Sequence, residues 1–252
     1  MSEHVRVEAS GGVLSLALAR PERRNAITVA MYAALADALE GAAADPSIRL
    51  IRLSGDGQDF AAGNDLADFL QSAPRDLEKI PVWRMLRALA SCDIPILVQV
   101  QGNCVGIGTT ILLHCDLAVA EEGARFSMPF VDLGLVPEAA SSLLLPRLAG
   151  RRRAARHLLL AEPFGPEEAL AMGLISHRAE AGQLAERADA IAAALLAKPT
   201  EALRETQRLL RADAREEILE RMQLESRAFA ERLQSQEVKD AIAAFFAARA
   251  TR

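Results

Sequence analysis

The chain is poor in cysteine and aromatic residues and has no excess of positive charge, and these shortages exclude several classes of protein. Its 252 residues include three cysteines, and no two of them form a C-x-x-C pair. The sequence therefore offers neither a disulfide framework nor a typical zinc-binding spacing. Lysine plus arginine number 29 against 34 aspartates and glutamates, which gives no support for nucleic-acid binding. We expect a reduced, cytoplasmic protein without a metal site and without nucleic-acid partners.

Long hydrophobic runs are also missing. The first residues, MSEHVRVEASGG, contain no apolar signal segment. The longest apolar runs, Ile94–Val100 and Ile111–Val119, are far shorter than the roughly 20 residues that a membrane-spanning helix needs. We therefore expect no membrane partner.

The residues that are abundant predict an α/β protein. Half of the chain is hydrophobic, and alanine and leucine dominate, which favours helices around a large core. The segments VRVEAS and VLSLALAR flank Gly11-Gly12, which predicts a β-hairpin. Thr28 is a plausible N-cap for a helix that follows it. Strands and helices then alternate, and from Ser142 onward the pattern is nearly all helical. We predict a core over residues 1–195 and a C-terminal helical region over 196–252, which packs either on this core or on a neighbouring subunit.

A glycine-rich stretch, VQGNCVGIGTTILLHCD, indicates an anion site of an unusual kind. Its glycines fit neither the spacing of a phosphate-binding P-loop nor the dinucleotide fingerprint G-x-G-x-x-G, and the chain has no G-x-S-x-G elbow. The N–H groups around Gly106–Gly108 could instead stabilise an oxyanion, with a second donor from the loop FAAGNDLADF. We interpret His114 and Cys115 as core residues, because sequence neighbours point in different directions.

Four segments in order are similar to the crotonase (enoyl-CoA hydratase/isomerase) superfamily, and together they cover nearly the whole chain. They are LARPERRNAIT, DFAAGNDLADF, the long central segment that begins at IPILVQVQG, and FGPEEALAMGLISH. The resemblance implies an α/β crotonase-like fold of repeated ββα units with a C-terminal helical region. It also implies a homotrimer or a dimer of trimers that binds acyl-CoA thioesters, with coenzyme A as part of the substrate and no separate cofactor.

The resemblance also implies the site residues. The backbone N–H groups of Asn64 and Ile107 would form the oxyanion hole for the thioester oxygen as it becomes an enolate. Arg24 could meet a phosphate of coenzyme A, although an arginine on the surface is common. From the sequence alone, Asp65 also suits a helix cap. The residues expected to contact the substrate are Arg24, Ala26, Ala62, Asp65, Leu66, Gly106, Phe130 and Leu133.

The acidic residues decide which member of the superfamily the chain resembles. Hydratases of the superfamily use two glutamates, and the matching positions here are Thr110 and Phe130. Neither side chain can act as a base at neutral pH. Glu138, in GLVPEAASS, matches the single catalytic acid of the Δ3,Δ2-enoyl-CoA isomerases. Phe130 would keep the site dry and raise the pKa of Glu138. Asp132 is the second choice for the base.

The sequence leaves two other functions open. The chain could catalyse a different reaction on an acyl-CoA enolate, or it could be a catalytically silent acyl-CoA-binding protein. The length of the acyl chain depends on residues near Leu66, Phe69 and Leu70 and on the loop from Gln71 to Ile80, whose structure the sequence does not predict.

Overall fold

The computed structural model describes residues 2–71, 80–212 and 214–250. The predicted hairpin is formed by Val5–Ser10 and Val13–Leu18, and between them Gly11 and Gly12 take positive φ angles of 59° and 83°. The helix Val29–Ala44 then begins as predicted, because the Thr28 hydroxyl accepts a hydrogen bond from the N–H of Met31 at 3.2 Å. The strands are β1 (Val5–Ser10), β2 (Val13–Leu18), β3 (Leu50–Gly55), β4 (Ile96–Val100), β5 (Asn103–Val105), β6 (Leu117–Glu121), β7 (Arg125–Ser127) and β8 (His177–Ala179).

Helices connect these strands and continue beyond the last of them. They are α1 (Val29–Ala44), α2 (Leu66–Gln71), α3 (Pro81–Ala90), α4 (Ile107–Thr110), α5 (Ser141–Ala149), α6 (Arg151–Leu159), α7 (Pro166–Met172), α8 (Leu184–Leu196), α9 (Thr200–Ala212), α10 (Arg215–Leu233) and α11 (Gln236–Ala250). The main sheet has the order β1-β2-β3-β4-β6-β8, and every pair after the hairpin is parallel. This is the α/β fold that the sequence predicts.

Both faces of the main sheet are covered, and the two-residue period of its strands explains how. Leu50, Leu97 and Val119 point to one face, where they form a small core with Ala188 and Ala192 of α8. Their neighbours along the strands point to the opposite face and join the large core that includes buried residues of α1 and α3. Successive strand residues point to opposite faces, so the sequence of a strand that is buried on both faces is nearly continuously hydrophobic.

A second, two-stranded sheet of β5 and β7 lies beside the main sheet, and it carries the glycine-rich stretch. Strand β5 was not predicted from the sequence. An isolated parallel bridge between Ala61 and Cys104 joins β5 to the loop after β3. The two loops that are expected to supply oxyanion donors are therefore attached to each other through backbone hydrogen bonds.

The C-terminal helices pack on the core of the same chain. Helix α10 contacts α3 and α5, and Arg211 of α9 donates hydrogen bonds to the carbonyl oxygens of Leu89 and His114. The described chain after Ser142 is nearly all helical, as predicted, and β8 is the exception. This strand has three residues, too few for a two-residue alternation to be visible, and it closes the edge of the main sheet beside β6. The division at residues 195 and 196 stays a prediction. In the described ranges no helix is long and apolar enough to cross a membrane.

Candidate active site

The paired loops place two backbone N–H groups at equivalent positions. Ala61 and Cys104 are partners in the parallel bridge, and Asn64 and Ile107 lie three residues beyond each partner. The N–H of Ala61 donates to the Asn103 carbonyl at 3.0 Å, and the N–H of Val105 donates to the Ala61 carbonyl at 2.9 Å. Because the bridge is parallel, the two segments of the chain leave it in the same direction. Asn64 and Ile107, which are predicted to form the oxyanion hole, therefore both lie just beyond the C-terminal end of this pair of hydrogen-bonded segments.

Glycines allow this close approach of the two loops. A Cβ on Gly108 would lie 2.9 Å from the Cβ of Ala61, closer than real side chains come. A Cβ on Gly63 would lie 3.2 Å from the Val105 carbonyl oxygen, and Gly63 also has a φ of +87°, in the left-handed region that favours glycine. The glycines at 63 and 108 are thus explained by contact between the loops rather than by phosphate binding.

The two N–H groups have no acceptor in the part of the chain that the structure describes. Asn64 and Ile107 donate no backbone hydrogen bond to any carbonyl or side chain within the described ranges. Ile107 is the first residue of α4, whose opening N–H groups have no partner in the helix. Gly106 precedes it with φ +56° and ψ −119° and donates its own N–H to the Ser127 carbonyl at 2.8 Å. Buried or half-buried N–H groups without a partner are rare in proteins, so these two are suited to an external acceptor.

Tyr32 connects the first of these loops to the expected base. It is fully buried on α1, and its hydroxyl donates to the Asn64 side-chain oxygen at 2.5 Å. Burial, followed by the negative charge of Glu138, raises the pKa of Tyr32 well above 10. Tyr32 is therefore a neutral donor that lies within electrostatic reach of Glu138. Tyr32 is the only tyrosine in the chain, and its role was not predicted from the sequence.

Glu138 has the environment expected of a general base that is tuned toward neutral pH. Its side chain is buried, and its Oε1 has no hydrogen-bond partner within the described ranges. Burial, and to a smaller extent the charge of Glu225, raises the pKa of Glu138 from 4.5 to about 8. A buried carboxyl with no donor nearby favours its neutral form, because the charged form loses its hydration. Carboxyl groups shifted in this way are candidates for catalysis.

The second loop also reaches the neighbourhood of Glu138. The chain after α4 continues through a 3₁₀ turn to His114, whose Nε2 lies 2.8 Å from the Ala139 carbonyl oxygen. Burial lowers the pKa of His114 to about 4, so the ring is neutral at pH 7 and donates this hydrogen bond through Nε2–H. His114 and Cys115 have the core roles that were expected, since the Cys115 thiol contacts the Ile111 carbonyl at 3.3 Å.

The positions that carry glutamates in superfamily hydratases are buried and uncharged here. Thr110 is fully buried, and its hydroxyl lies 3.4 Å from the Ile107 carbonyl oxygen within α4. Phe130 is 5% exposed. Leu133 is half-buried in the 3₁₀ turn that follows, and its N–H donates to the Phe130 carbonyl at 3.1 Å. Asp132, in that same turn, is exposed and has no hydrogen bond to another described residue, so the structure does not favour it as the base.

The expected coenzyme A loop lies against the first oxyanion loop. The N–H of Ala62 donates to the Arg24 carbonyl at 2.9 Å, which places these residues side by side. Arg24 has a φ of +51° and an exposed side chain, 3.8 Å from an oxygen of Asp59. Ala26 is half-buried, and its carbonyl accepts a hydrogen bond from Arg20 at 3.1 Å.

Asp65 serves the structure of the loop. Its carboxylate accepts a hydrogen bond from Arg20 at 2.7 Å and another from the N–H of Asp68 at 3.3 Å, within the first turn of α2. Burial acts to raise the pKa of Asp65, but the bonds from Arg20 and Asp68 outweigh it and lower the value. Leu66 is half-buried at the start of α2. Most of the loop that was expected to limit the acyl chain, residues 72–79, and the side chains of Phe69 and Leu70 lie outside the described residues.

Metal-binding residues are not clustered in the described ranges, where no group of three or more His, Cys, Asp or Glu side chains is arranged to hold an ion. The expectation that the protein uses no metal and no separate cofactor stays a prediction.

Comparisons with known proteins agree on one family. A family model described as enoyl-CoA hydratase/isomerase matches residues 8–251. The 1,2-epoxyphenylacetyl-CoA isomerase of Escherichia coli K12 is 35% identical over 206 residues, which is 79% of each chain. A probable enoyl-CoA hydratase of Rhodobacter capsulatus is 34% identical over 255 residues, 99% of this chain and 97% of the other. A crystal structure of an enoyl-CoA hydratase/isomerase from Pseudoalteromonas atlantica matches with a TM-score of 0.92 and 40% identity over 97% of both chains.

Proposed function

Because the chain belongs to the enoyl-CoA hydratase/isomerase family, within the crotonase superfamily of acyl-CoA enzymes, we propose that it moves the double bond of a 3-enoyl-CoA to the 2-position. The observation that carries this proposal is Glu138, a buried carboxyl whose pKa is about 8 and whose Oε1 has no partner within the described ranges. The relatives named above include both an isomerase and a hydratase, so the choice of reaction depends on the residues of this chain.

The reaction needs one base and one pair of oxyanion donors. The C2 protons of a 3-enoyl thioester are acidic because they lie between the thioester carbonyl and the double bond. The ionised Glu138 takes one of them, and the electron pair of the C–H bond moves into a dienolate. The negative charge on the thioester oxygen is stabilised by the N–H groups of Asn64 and Ile107, which are in position before the charge develops. Glu138 then returns the proton to C4, which gives the conjugated 2-enoyl-CoA and regenerates the base.

Hydration is less well supported than isomerisation. Addition of water to a 2-enoyl thioester requires a base to activate the water and an acid to supply the α-proton. The corresponding positions hold Thr110 and Phe130, and neither side chain titrates near neutral pH. Phe130 also adds an apolar, buried ring at a place where a hydratase of the superfamily has a carboxylate.

The test uses purified protein and trans-3-hexenoyl-CoA, with the rise in absorbance of the conjugated thioester as the signal. Replacing Glu138 with Gln removes the base, so we expect kcat to fall by roughly 10²–10⁴-fold. Asp132→Asn is the matched control, because Asp132 is an exposed carboxylate in the same loop region and should be dispensable. A parallel assay with crotonyl-CoA measures hydration, which we expect to be slow.

Three outcomes would contradict the proposal. Retained activity in Glu138→Gln together with loss in Asp132→Asn would identify Asp132 as the base. Fast hydration of crotonyl-CoA without isomerisation would favour a hydratase. Binding of acyl-CoA thioesters without turnover of any of them would favour a silent binding protein.

The assembly and location of the protein are proposed from the same family resemblance. A trimer or a dimer of trimers would cover apolar side chains that the single chain leaves exposed, and sedimentation velocity would measure its mass. These side chains include Leu159, Leu160, Leu209 and Leu210. The acyl-CoA thioester is the proposed small-molecule partner, and a cytoplasmic location, without nucleic-acid or membrane partners, remains part of the proposal.

A further inference from the structure

A second buried glutamate lies beside the turn that carries Glu138. Glu225 belongs to α10, in the C-terminal helical region, and it is only 6% exposed. Its Oε1 accepts a hydrogen bond from the N–H of Ser142 at 2.9 Å. Ser142 is in the first turn of α5, and the N-cap of that helix, Ala140, has no side chain able to cap it. Glu225 therefore supplies from another helix the acceptor that an N-cap side chain usually provides.

The turn between Glu138 and α5 has an unfavourable backbone conformation. Ala139 and Ala140 have φ angles of +59° and +54°. For residues with a Cβ this left-handed region is unfavourable, because the Cβ comes too close to the following carbonyl oxygen. Such a turn persists only when the surroundings determine it. The Ser141 N–H donates to the Glu138 carbonyl within the turn at 3.0 Å. Two contacts from other elements add to it, the His114 bond to the Ala139 carbonyl and the Glu225 bond to the Ser142 N–H.

Two carboxyl groups lie in one poorly solvated region around this turn. Oxygen atoms without a partner occur on both Glu138 and Glu225, and each side chain is at least nine-tenths buried. The other titratable or charged groups around them are neutral Tyr32 from α1, neutral His114 from the turn after α4, and Arg221 from α10. Arg221 donates to the Ser142 hydroxyl at 3.3 Å and attracts Glu225, so no cation bonds Glu138 directly within the described ranges.

We infer that Glu225 is a positioning residue for Glu138, because its carboxylate holds the turn over residues 138–142 and adds a negative charge beside the first carboxyl. This inference rests on the proposed role of Glu138 as the base. Burial raises the pKa of Glu225, and its hydrogen bonds with Ser142 and the positive charge of Arg221 act in the opposite direction. Repulsion between the two carboxylates makes it harder to ionise Glu138, which is why Glu225 contributes to the raised pKa of Glu138.

Two substitutions separate the hydrogen bond from the charge. In Glu225→Gln the amide oxygen still accepts from the Ser142 N–H, but the negative charge is lost. We expect the maximal rate to stay within about twofold of the wild type, while the acidic limb of the kcat/KM profile moves to lower pH by about half a unit to one unit. In Glu225→Ala both contributions are lost, and we expect the maximal rate to fall about tenfold or more, because displacement of a catalytic group by about 1 Å has large effects.

Glu217→Gln is the matched control. Glu217 lies on the same helix and pairs with Arg147 of α5 at 2.7 Å, so it links the same two helices from an exposed position. We expect this variant to change neither the maximal rate nor the pH profile. If Glu225 acted only through its hydrogen bond, Glu225→Ala would lose activity and Glu225→Gln would not, but the acidic limb would stay in place in both variants. An unmoved acidic limb in Glu225→Gln would therefore overturn the inference.

A spectroscopic titration separates this inference from the proposed function. The carbonyl stretch of a protonated, buried carboxyl group is visible by infrared difference spectroscopy, and its loss in Glu138→Gln assigns the band. We expect the midpoint of this band to move to lower pH in Glu225→Gln and to be unchanged in Glu217→Gln. If the protein does not isomerise enoyl-CoA, this shift still supports the electrostatic coupling, while an unmoved midpoint overturns it.

Discussion

Replacing Glu138 with Gln should make the protein more stable at neutral and alkaline pH even though it removes the proposed base. The folded state holds the Glu138 carboxyl in a buried place that raises its pKa from 4.5 to about 8. Folding therefore favours the protonated form. The stability that the protonated Glu138 contributes is fully present below about pH 4.5 and is lost as the pH rises toward about 8. In this pH range the unfolded chain can ionise the group and the folded chain cannot. A glutamine is always neutral and avoids this loss.

The size of the effect follows from the shift. One pKa unit corresponds to about 1.4 kcal/mol, so the shift of Glu138 lowers the free energy of unfolding by about 3 kcal/mol at pH 7. At pH 5 the same shift lowers the free energy of unfolding by only about 1 kcal/mol. The stability difference between Glu138→Gln and the wild type should therefore grow by about 2–3 kcal/mol between these two pH values. Contributions from all other titrating groups are common to both proteins and cancel in the difference.

Urea unfolding at a series of pH values measures this difference. Both proteins must be compared at one protein concentration, because association of subunits contributes to apparent stability. Asp132→Asn serves as the control, since it removes an exposed carboxylate from the same region and leaves the buried Glu138 in place. A difference for Glu138→Gln that stays constant from pH 5 to pH 8 would show that Glu138 ionises normally in the folded protein, and the argument for it as a base tuned by burial would fail.

Further predictions concern the two loops that carry the oxyanion donors. Gly108→Ala places a Cβ 2.9 Å from that of Ala61, so it should cost about 1–3 kcal/mol in unfolding experiments and lower kcat/KM by tenfold or more. Gly123→Ala is its control, because a Cβ there meets nothing within 4 Å, and equal losses in both variants would refute the explanation. Tyr32→Phe removes the hydrogen bond to the Asn64 side chain and should lower stability by about 0.5–1.5 kcal/mol and kcat/KM by up to about tenfold. Unchanged kinetics would show that the Asn64 loop holds its position without this bond.

The sequence was sufficient to predict the parts of the site that depend on local pattern. The hairpin at Gly11-Gly12 and the cap at Thr28 follow from short-range rules, and the structure confirms both. The spacing of Gly102, Gly106 and Gly108 fits no phosphate loop, and this directed the interpretation to an oxyanion site. The contacts between loops that explain Gly63 and Gly108 were not predicted. The roles of Asn64, Ile107 and Glu138 were predictions from resemblance and remain so until they are measured.

The remainder of the site depends on contacts between distant parts of the chain. Tyr32 lies in an alanine-rich helix that reads as ordinary core, and nothing near it in sequence indicates that its hydroxyl reaches Asn64. Glu225 lies in a long, highly charged helix, where a glutamate is normally exposed. Only its burial against the first turn of α5 distinguishes it from its neighbours. Strand β8 was missed for a related reason, since three residues become a strand through pairing with β6 rather than through their own propensity.

The two halves of the proposed mechanism make opposite demands on the fold. The oxyanion donors are backbone groups that are uncharged in the resting protein, so holding them requires only close loops and small residues such as Gly108 and Ala61. The base must both accept and return a proton, which is easiest when its pKa lies near the working pH. An exposed glutamate titrates too low for this. The fold instead buries Glu138 on a strained turn, within electrostatic reach of Tyr32 and of the charge of Glu225. The stability lost at neutral pH is therefore the direct consequence of a carboxyl group that can donate as readily as it accepts.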